Sequence, residues 1–233
     1  MRKLSEACWQ KHEAAYVIGT KEFNVTVSQH GASLVSVKFG GKEMTLNRHP
    51  DQFGDEFFDT TKNRNYGMTC GRFAGRIENA QFSMSDGKVH KLAANNGPNC
   101  LHGGVKNFGR VMWDKSEIIR NVNIPLSIEK SGYKKGSGVK FYRISHDGEE
   151  GFPGKLAVEA SYLVTADQEL YFTWKAWLVQ GQDCKAQTPI NMTNHAYWNL
   201  SQDFSQPTIH EHELWLPNCS KYFEMKDGLI PTG

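Results

Sequence analysis

Two histidines in this sequence stand among residues suited to proton exchange and hydrogen bonding. One lies in Thr188-Pro189-Ile190-Asn191-Met192-Thr193-Asn194-His195-Ala196-Tyr197-Trp198-Asn199-Leu200. In an extended chain Asn191, Thr193, His195 and Tyr197 point to one side, and Ile190, Met192, Asn194 and Ala196 to the other. His195 therefore sits in a polar row backed by a mostly apolar face. An imidazole, with an unperturbed pKa of about 6.5, trades protons near neutral pH. The same pattern also fits a structural histidine whose bonds are satisfied within a strand. The other histidine, His102, lies near the end of Asn95-Asn96-Gly97-Pro98-Asn99-Cys100-Leu101-His102-Gly103-Gly104, where the N-G and G-P pairs and the final Gly-Gly mark a loop. Loops carry much functional chemistry, and two glycines after the ring leave room for a ligand to approach it.

A third polar group comes from Tyr66-Gly67-Met68-Thr69-Cys70-Gly71-Arg72-Phe73-Ala74-Gly75-Arg76-Ile77. Arg72 and Arg76 each follow a glycine, which lets the backbone bend or approach a ligand while the guanidinium reaches past it. Their even spacing predicts one shared strand face, as a ligand clamp or as a pair of surface salt bridges. Ser145-His146-Asp147-Gly148-Glu149-Glu150-Gly151-Phe152-Pro153-Gly154 places three carboxylates in four positions but lacks the spacing of a calcium loop, and reads as a structural turn.

The elements that must position these groups read as strands. Phe23, Val25 and Val27 alternate with polar neighbours, Gln29-His30-Gly31 breaks the run, and Val35, Val37 and Phe39 resume it. Leu156 to Val164 and Leu170 to Leu178 form two more period-2 runs around a turn at Ala166-Asp167-Gln168. Helical periodicity is absent, and 22 glycines among many short alternating runs predict an all-β sandwich or barrel-like architecture. Residues 47–65 read as a polar surface loop. The span from Lys115 to Val139 reads as polar, with a flexible excursion over 131–138 whose lysines form a solvated tip.

Bulk properties narrow the function. The chain has 233 residues, long enough to bury a sizeable core. Its 27 Lys and Arg against 25 Asp and Glu give a formal charge of +2, which supplies no broad footprint for nucleic acid or an anionic membrane. A neutral, polar small molecule fits at least as well. The basic N-terminus lacks the apolar run of a secretory signal, and no stretch approaches a membrane span. Cys8, Cys70, Cys100, Cys184 and Cys219 are odd in number and have no C-x-x-C spacing, against both a disulfide framework and a zinc site. Cytoplasmic residence is the expectation, with the cysteines near the glycine-rich segments acting as packing residues.

Taken together, Gly71-Arg72-Phe73-Ala74-Gly75-Arg76-Ile77, Asn95-Asn96-Gly97 through Leu101-His102-Gly103-Gly104, Asp147-Gly148-Glu149-Glu150-Gly151-Phe152-Pro153-Gly154 and Thr188-Pro189 through Leu200 resemble the aldose 1-epimerase (galactose mutarotase) family in order and wording. Leu229-Ile230-Pro231-Thr232-Gly233 resembles a further segment of it. The resemblance implies one large antiparallel β-sandwich domain over residues 1–233, monomeric or homodimeric, holding a free hexose such as galactose or glucose on its concave face. The implied reaction interconverts α and β anomers by acid-base ring opening, without metal or organic cofactor.

Residue by residue, the resemblance makes His195 the acid that protonates the ring oxygen and His102 a second catalytic histidine on the sugar. Arg76 would hold substrate hydroxyls, with Gly75 and Tyr197 lining the site. In the family the general-base glutamate and a further substrate-binding acidic residue lie beyond the Ile-Pro-Thr-Gly segment, so the resemblance places neither within this sequence. The C-terminal part of the family domain is expected to be absent, and Glu149 and Glu150 belong to a turn motif. The span between the two histidines is expected to hold an inserted hairpin or loop. A non-catalytic hexose-binding or regulatory module is the alternative expectation.

Overall fold

A computed structural model of the chain describes residues 11–12, 15–46, 65–85, 87–125, 132–179, 187–205 and 209–232. Alternating β-branched and aromatic residues build its main elements. Strands β1 (Lys11–His12), β2 (Ala15–Gly19), β3 (Phe23–Ser28), β4 (Ser33–Phe39) and β5 (Lys42–Glu43) form one antiparallel sheet in that order. Short strands come next: β6 (Thr45–Leu46), β7 (Thr69–Cys70), β8 (Arg76–Ile77), β9 (Gln81–Ser83), β10 (Val89–Lys91) and β11 (Cys100–Leu101). A second antiparallel sheet is the meander β12 (Lys115–Pro125), β13 (Tyr133–Ser145), β14 (Leu156–Thr165) and β15 (Leu170–Leu178). The described chain continues through β16 (Thr193–Asn194), β17 (Tyr197–Trp198), β18 (Met225–Lys226) and β19 (Ile230–Pro231).

The two large sheets share one core. Ile18, Val25, Val27 and Leu34 from the first meet Val139, Phe141, Val158, Ala160 and Tyr162 from the second, all nearly inaccessible. Full burial of an aliphatic or aromatic side chain contributes about 1.5–3 kcal/mol, so this two-sided apolar layer is the main cohesive element. Tyr16 of β2 packs on Phe141 of β13 with ring centroids 6.0 Å apart. The Tyr162 hydroxyl crosses the layer and donates to the Ala32 carbonyl at 2.6 Å, which satisfies a polar group that burial would otherwise penalise. The architecture is the all-β sandwich that the alternating runs predict, and the strands expected around residues 23–39 and 156–178 are in place.

One expectation is overturned. Residues 133–138 are not a flexible excursion: they open β13, which pairs with β12 on one side and β14 on the other. The glycines here serve close packing, because a Cβ at Gly138 would lie 1.7 Å from the Tyr162 carbonyl oxygen. Lys134 is not a free solvated tip but pairs with Asp167 at 3.1 Å and with Glu169. Within the span between the histidines, β12 pairs antiparallel with β13. The loop expected over 47–65 falls, apart from Asn65, outside the described residues, as do Cys8 and Cys184. Cys70 and Cys100 are buried, and burial raises their thiols to about 12 and about 11, the condition of inert packing residues. Among the described residues, no helix is long and apolar enough to cross a membrane.

Candidate active site

The segment from Thr69 to Ile77 holds the two histidines together. At one end β7 pairs with β16, setting Cys70 opposite Thr193. At the other β8 pairs with β11, setting Arg76 opposite Leu101. Between them Phe73 bridges Asn191, the Asn191 amide donates to the Arg72 carbonyl at 3.0 Å, and the Ala74 amide donates to the Asn191 carbonyl at 2.6 Å. His195 follows β16 and His102 follows β11, so both rings arrive on one side of this segment. Their centroids lie 5.1 Å apart at an interplanar angle of 87°. Tyr197 continues the row, 5.1 Å from His195, and Tyr66 meets Tyr197 edge-on at 5.1 Å.

The alternation from Asn191 to Tyr197 survives although the strand is broken into two short bridges. Met192 and Ala196 pack against the core, while Asn191, Thr193 and Tyr197 are exposed and His195 is half-buried. Backbone bonds fix the ring's origin: the His195 amide donates to the Met68 carbonyl at 2.9 Å, and the Gly67 amide donates to the His195 carbonyl at 3.0 Å.

His102 is held more tightly. Its φ of 55° lies in the left-handed region that few non-glycine residues occupy. Two reciprocal bonds with Gly75 hold it there: the His102 amide donates to the Gly75 carbonyl at 3.0 Å, and the Gly75 amide donates to His102 Nδ1 at 3.1 Å. Because Nδ1 accepts, the ring proton belongs on Nε2. Burial, with the nearby charges of His195, Arg76 and Arg110, lowers the imidazole to about 4. At neutral pH His102 is thus an uncharged ring that presents an Nε2–H donor.

Arg76 and Arg72 do not share a strand face, because the chain bends between β7 and β8, with Gly75 at φ 85°. Arg76 is half-buried at the site, and its Nε donates to Asn96 Oδ1 at 2.9 Å. Arg72 turns the other way and is buried. Its Nε donates to Ser145 Oγ (3.0 Å), one terminal nitrogen to the Pro153 carbonyl (2.8 Å) and Thr188 Oγ1 (3.0 Å), and the other to the carbonyls of Ser145 (3.1 Å) and His146 (2.8 Å). Burial lowers its pKa to about 10, opposed by Glu149 and Asp147, so it stays charged at neutral pH. It is a structural anchor, neither a ligand clamp nor a surface salt bridge.

The acidic turn is structural. Asp147 accepts from the Gly154 amide, and Glu149 accepts from Arg143 and Ser145. Glu150 accepts from the amides of Val105 (2.7 Å) and Lys106 (3.1 Å). Nor do Gly103 and Gly104 open space beside the His102 ring. Both are buried, and added Cβ atoms would lie 2.0 Å from the Gly71 carbonyl oxygen and 2.1 Å from Glu150 Oε2. Their need is backbone packing.

Sequence reasoning passed over Asn96, which orients Arg76, and Tyr66, which extends the aromatic row. Asn96 reads as one of several turn asparagines, and only the pairing of β8 with β11 shows its partner. Among the described residues no group of three or more His, Cys, Asp or Glu could hold a metal ion.

Comparison with known proteins identifies the family. Residues 14–233 match the family model of aldose 1-epimerase. The chain is 39% identical over 168 residues to galactose mutarotase of Bos taurus, covering 72% of this chain and 41% of that protein. It is 32% identical over 166 residues to aldose 1-epimerase of Haemophilus influenzae, covering 71% of this chain and 42% of that one. Among solved structures, the GalM/aldose epimerase homologue from C. elegans superposes with a TM-score of 0.71 at 27% identity, over 93% of this chain and 59% of that one. The chain thus spans about two-fifths of the length of these curated relatives. With a sandwich of the same kind and residues 14–233 of its own sequence matched by the family model, the chain belongs to the aldose 1-epimerase family.

Proposed function

We propose that this chain forms the sugar-binding and acid half of a mutarotase that interconverts the α and β anomers of free hexoses such as galactose and glucose. The observation that carries this reading is the edge-to-face contact of His102 and His195 beside Arg76. Ring opening needs a proton delivered to the ring oxygen and another removed from the anomeric hydroxyl. His195, half-buried and joined to the rest of the site through ring contacts, is the acid. His102, kept neutral with its proton on Nε2, donates a hydrogen bond to a sugar oxygen and does not compete as an acid at neutral pH. The terminal nitrogens of Arg76 hold sugar hydroxyls, Gly75 keeps the floor open because nothing lies within 4 Å of a Cβ placed there, and Tyr197 offers a ring face.

The anomeric proton needs an acceptor. Glu149 and Glu150 are committed to other partners. This favours a second reading, a hexose-binding module without catalysis of its own.

Anomer exchange of α-galactose followed by polarimetry or NMR, with titration calorimetry in parallel, separates the two. A mutarotase accelerates exchange above buffer, and His195→Ala lowers that acceleration by roughly 10²–10⁴-fold while binding persists. Acceleration undiminished in His195→Ala would overturn the assignment of the acid. Saturable binding without acceleration selects the module, and no binding to any hexose removes both readings.

A further inference from the structure

The carboxylate of Glu150 lies against the loop that carries His102, yet neither sugar binding nor proton transfer at the two histidines uses it. We infer that Glu150 is a positioning residue that clamps the loop over residues 103–106 and thereby holds His102 in register with Gly75 and His195. Its functional weight rests on the reading of His102 as a site residue.

The geometry forms a continuous path. Arg72, buried among Ser145, His146, Pro153 and Thr188, fixes the backbone on both sides of the acidic turn. Glu149 ties that turn to Arg143 and Ser145. Its neighbour Glu150 has a left-handed backbone, φ 51° and ψ 18°, and its carboxylate points to the opposite partner, the amides of Val105 and Lys106. Charge-assisted bonds of this kind are stronger than neutral ones, and two to one carboxylate fix both the position and the direction of the loop. Gly104 lets the carboxylate approach, since a side chain there would meet Glu150 Oε2. Gly103 lets the loop lie against Gly71 in the same way. His102 immediately precedes these two glycines and sits in a conformation that histidine adopts only when its surroundings impose it. One restraint is the reciprocal pair with Gly75, and the Glu150 clamp is another, beside the bonds of the Gly104 amide to the Leu101 carbonyl and of Asn107 Nδ2 to the Gly104 carbonyl.

The test is amide hydrogen exchange by NMR on the full chain, with Glu150→Ala and Glu150→Gln. Val105 and Lys106 report the clamp directly. Gly75 reports the consequence, because its amide donates to His102 Nδ1 and lies on a separate segment. In Glu150→Ala, protection at Gly75 falls roughly ten- to a hundredfold along with that at Val105 and Lys106, the range expected for losing bonds to a charged group. Glu150→Gln keeps one acceptor oxygen and falls between parent and Ala. Amides of β14 such as Val158 and Ala160 stay at parental protection. If Val105 and Lys106 lose protection while Gly75 keeps it, the clamp is local and the inference is overturned. An unprotected Gly75 amide in the parent overturns it as well. Should Glu150→Ala unfold, seen as lost protection at Val158, the Gln variant decides by the same three amides. Galactose titration on the same samples keeps the two readings apart: no hexose binding by the parent, with the predicted change at Gly75, defeats the proposed function and leaves the positioning role standing.

Discussion

Arg72 and Arg76 stand four residues apart in one glycine-arginine repeat and end in opposite environments. Arg72 is 2% exposed, and its five N–H donors meet five acceptors drawn from three parts of the chain. Arg76 is half-buried, and the bond to Asn96 uses one of its donors. The first has nothing left to offer a ligand, so its bonding capacity goes into holding Ser145, Pro153 and Thr188 in place. The second leaves donors beside a histidine pair. The same contrast separates the carboxylates of the acidic turn, which are committed to amides, arginine and serine, from the imidazole of His195, whose contacts are with other rings. Saturated polar groups build the scaffold here, and unsaturated ones converge where a polar ligand would complete them.

The largest effect that can break this contrast is on stability. Arg72→Ala takes a donor from three carbonyls and two hydroxyls, at a cost of about 3–5 kcal/mol, read as a lower urea midpoint or a failure to accumulate folded protein. Arg76→Ala shifts stability by no more than about 0.5 kcal/mol. Galactose affinity moves the other way round: Arg76→Ala lowers it roughly ten- to a hundredfold by calorimetry, the range for hydrogen bonds from a charged donor. Equal stability losses in the two variants would show that both arginines are anchors.

How much of the molecule is legible in the sequence depends on range. Period-2 alternation is local, so β14, β15 and the polar row of His195 can be read directly, and the row persists even where β16 and β17 are separate. Even spacing misleads for Arg72 and Arg76, because it presumes one strand, whereas the chain bends through Gly75. Gly136 and Gly138 look like loop glycines, but their need arises from Ile124 and Tyr162 of neighbouring strands, contacts that no local pattern encodes. Asn96 is hidden for the same reason, since its partner is set by the pairing of β8 with β11. The family motifs bring the two histidines into one site in the reading, but the tautomer of His102 and the fate of Glu150 emerge only from three-dimensional bonds.

A smaller effect distinguishes the site histidine from a core one. Burial lowers both His102 and His30 to about 4, in each case with Arg110 adding to the shift. With an unfolded value near 6.5, the unfolded chain binds protons between about pH 6.5 and 4 that the folded chain refuses. Stability from this source is therefore complete above that window and declines as pH falls through it. His102→Gln keeps His30, so its urea midpoint declines less steeply from about pH 7 to about 4.5 than the parent's. Identical slopes would mean that His102 is not held neutral, and with it would go the assignment of Nε2 as its donor.

The smallest effect tests whether Arg76 is preorganised rather than merely present. Asn96→Ala removes the acceptor for Arg76 Nε and keeps the guanidinium. The side chain then loses rotamer freedom on binding that the parent has already given up, so galactose affinity falls about two- to tenfold, with stability within about 0.5 kcal/mol of the parent. In an Arg76→Ala background the same change has no further effect on affinity, because the two residues act as one unit and the cycle closes with strong coupling. Additive losses would instead mean that Asn96 meets the sugar itself, which would move it from supporting the arginine to lining the site.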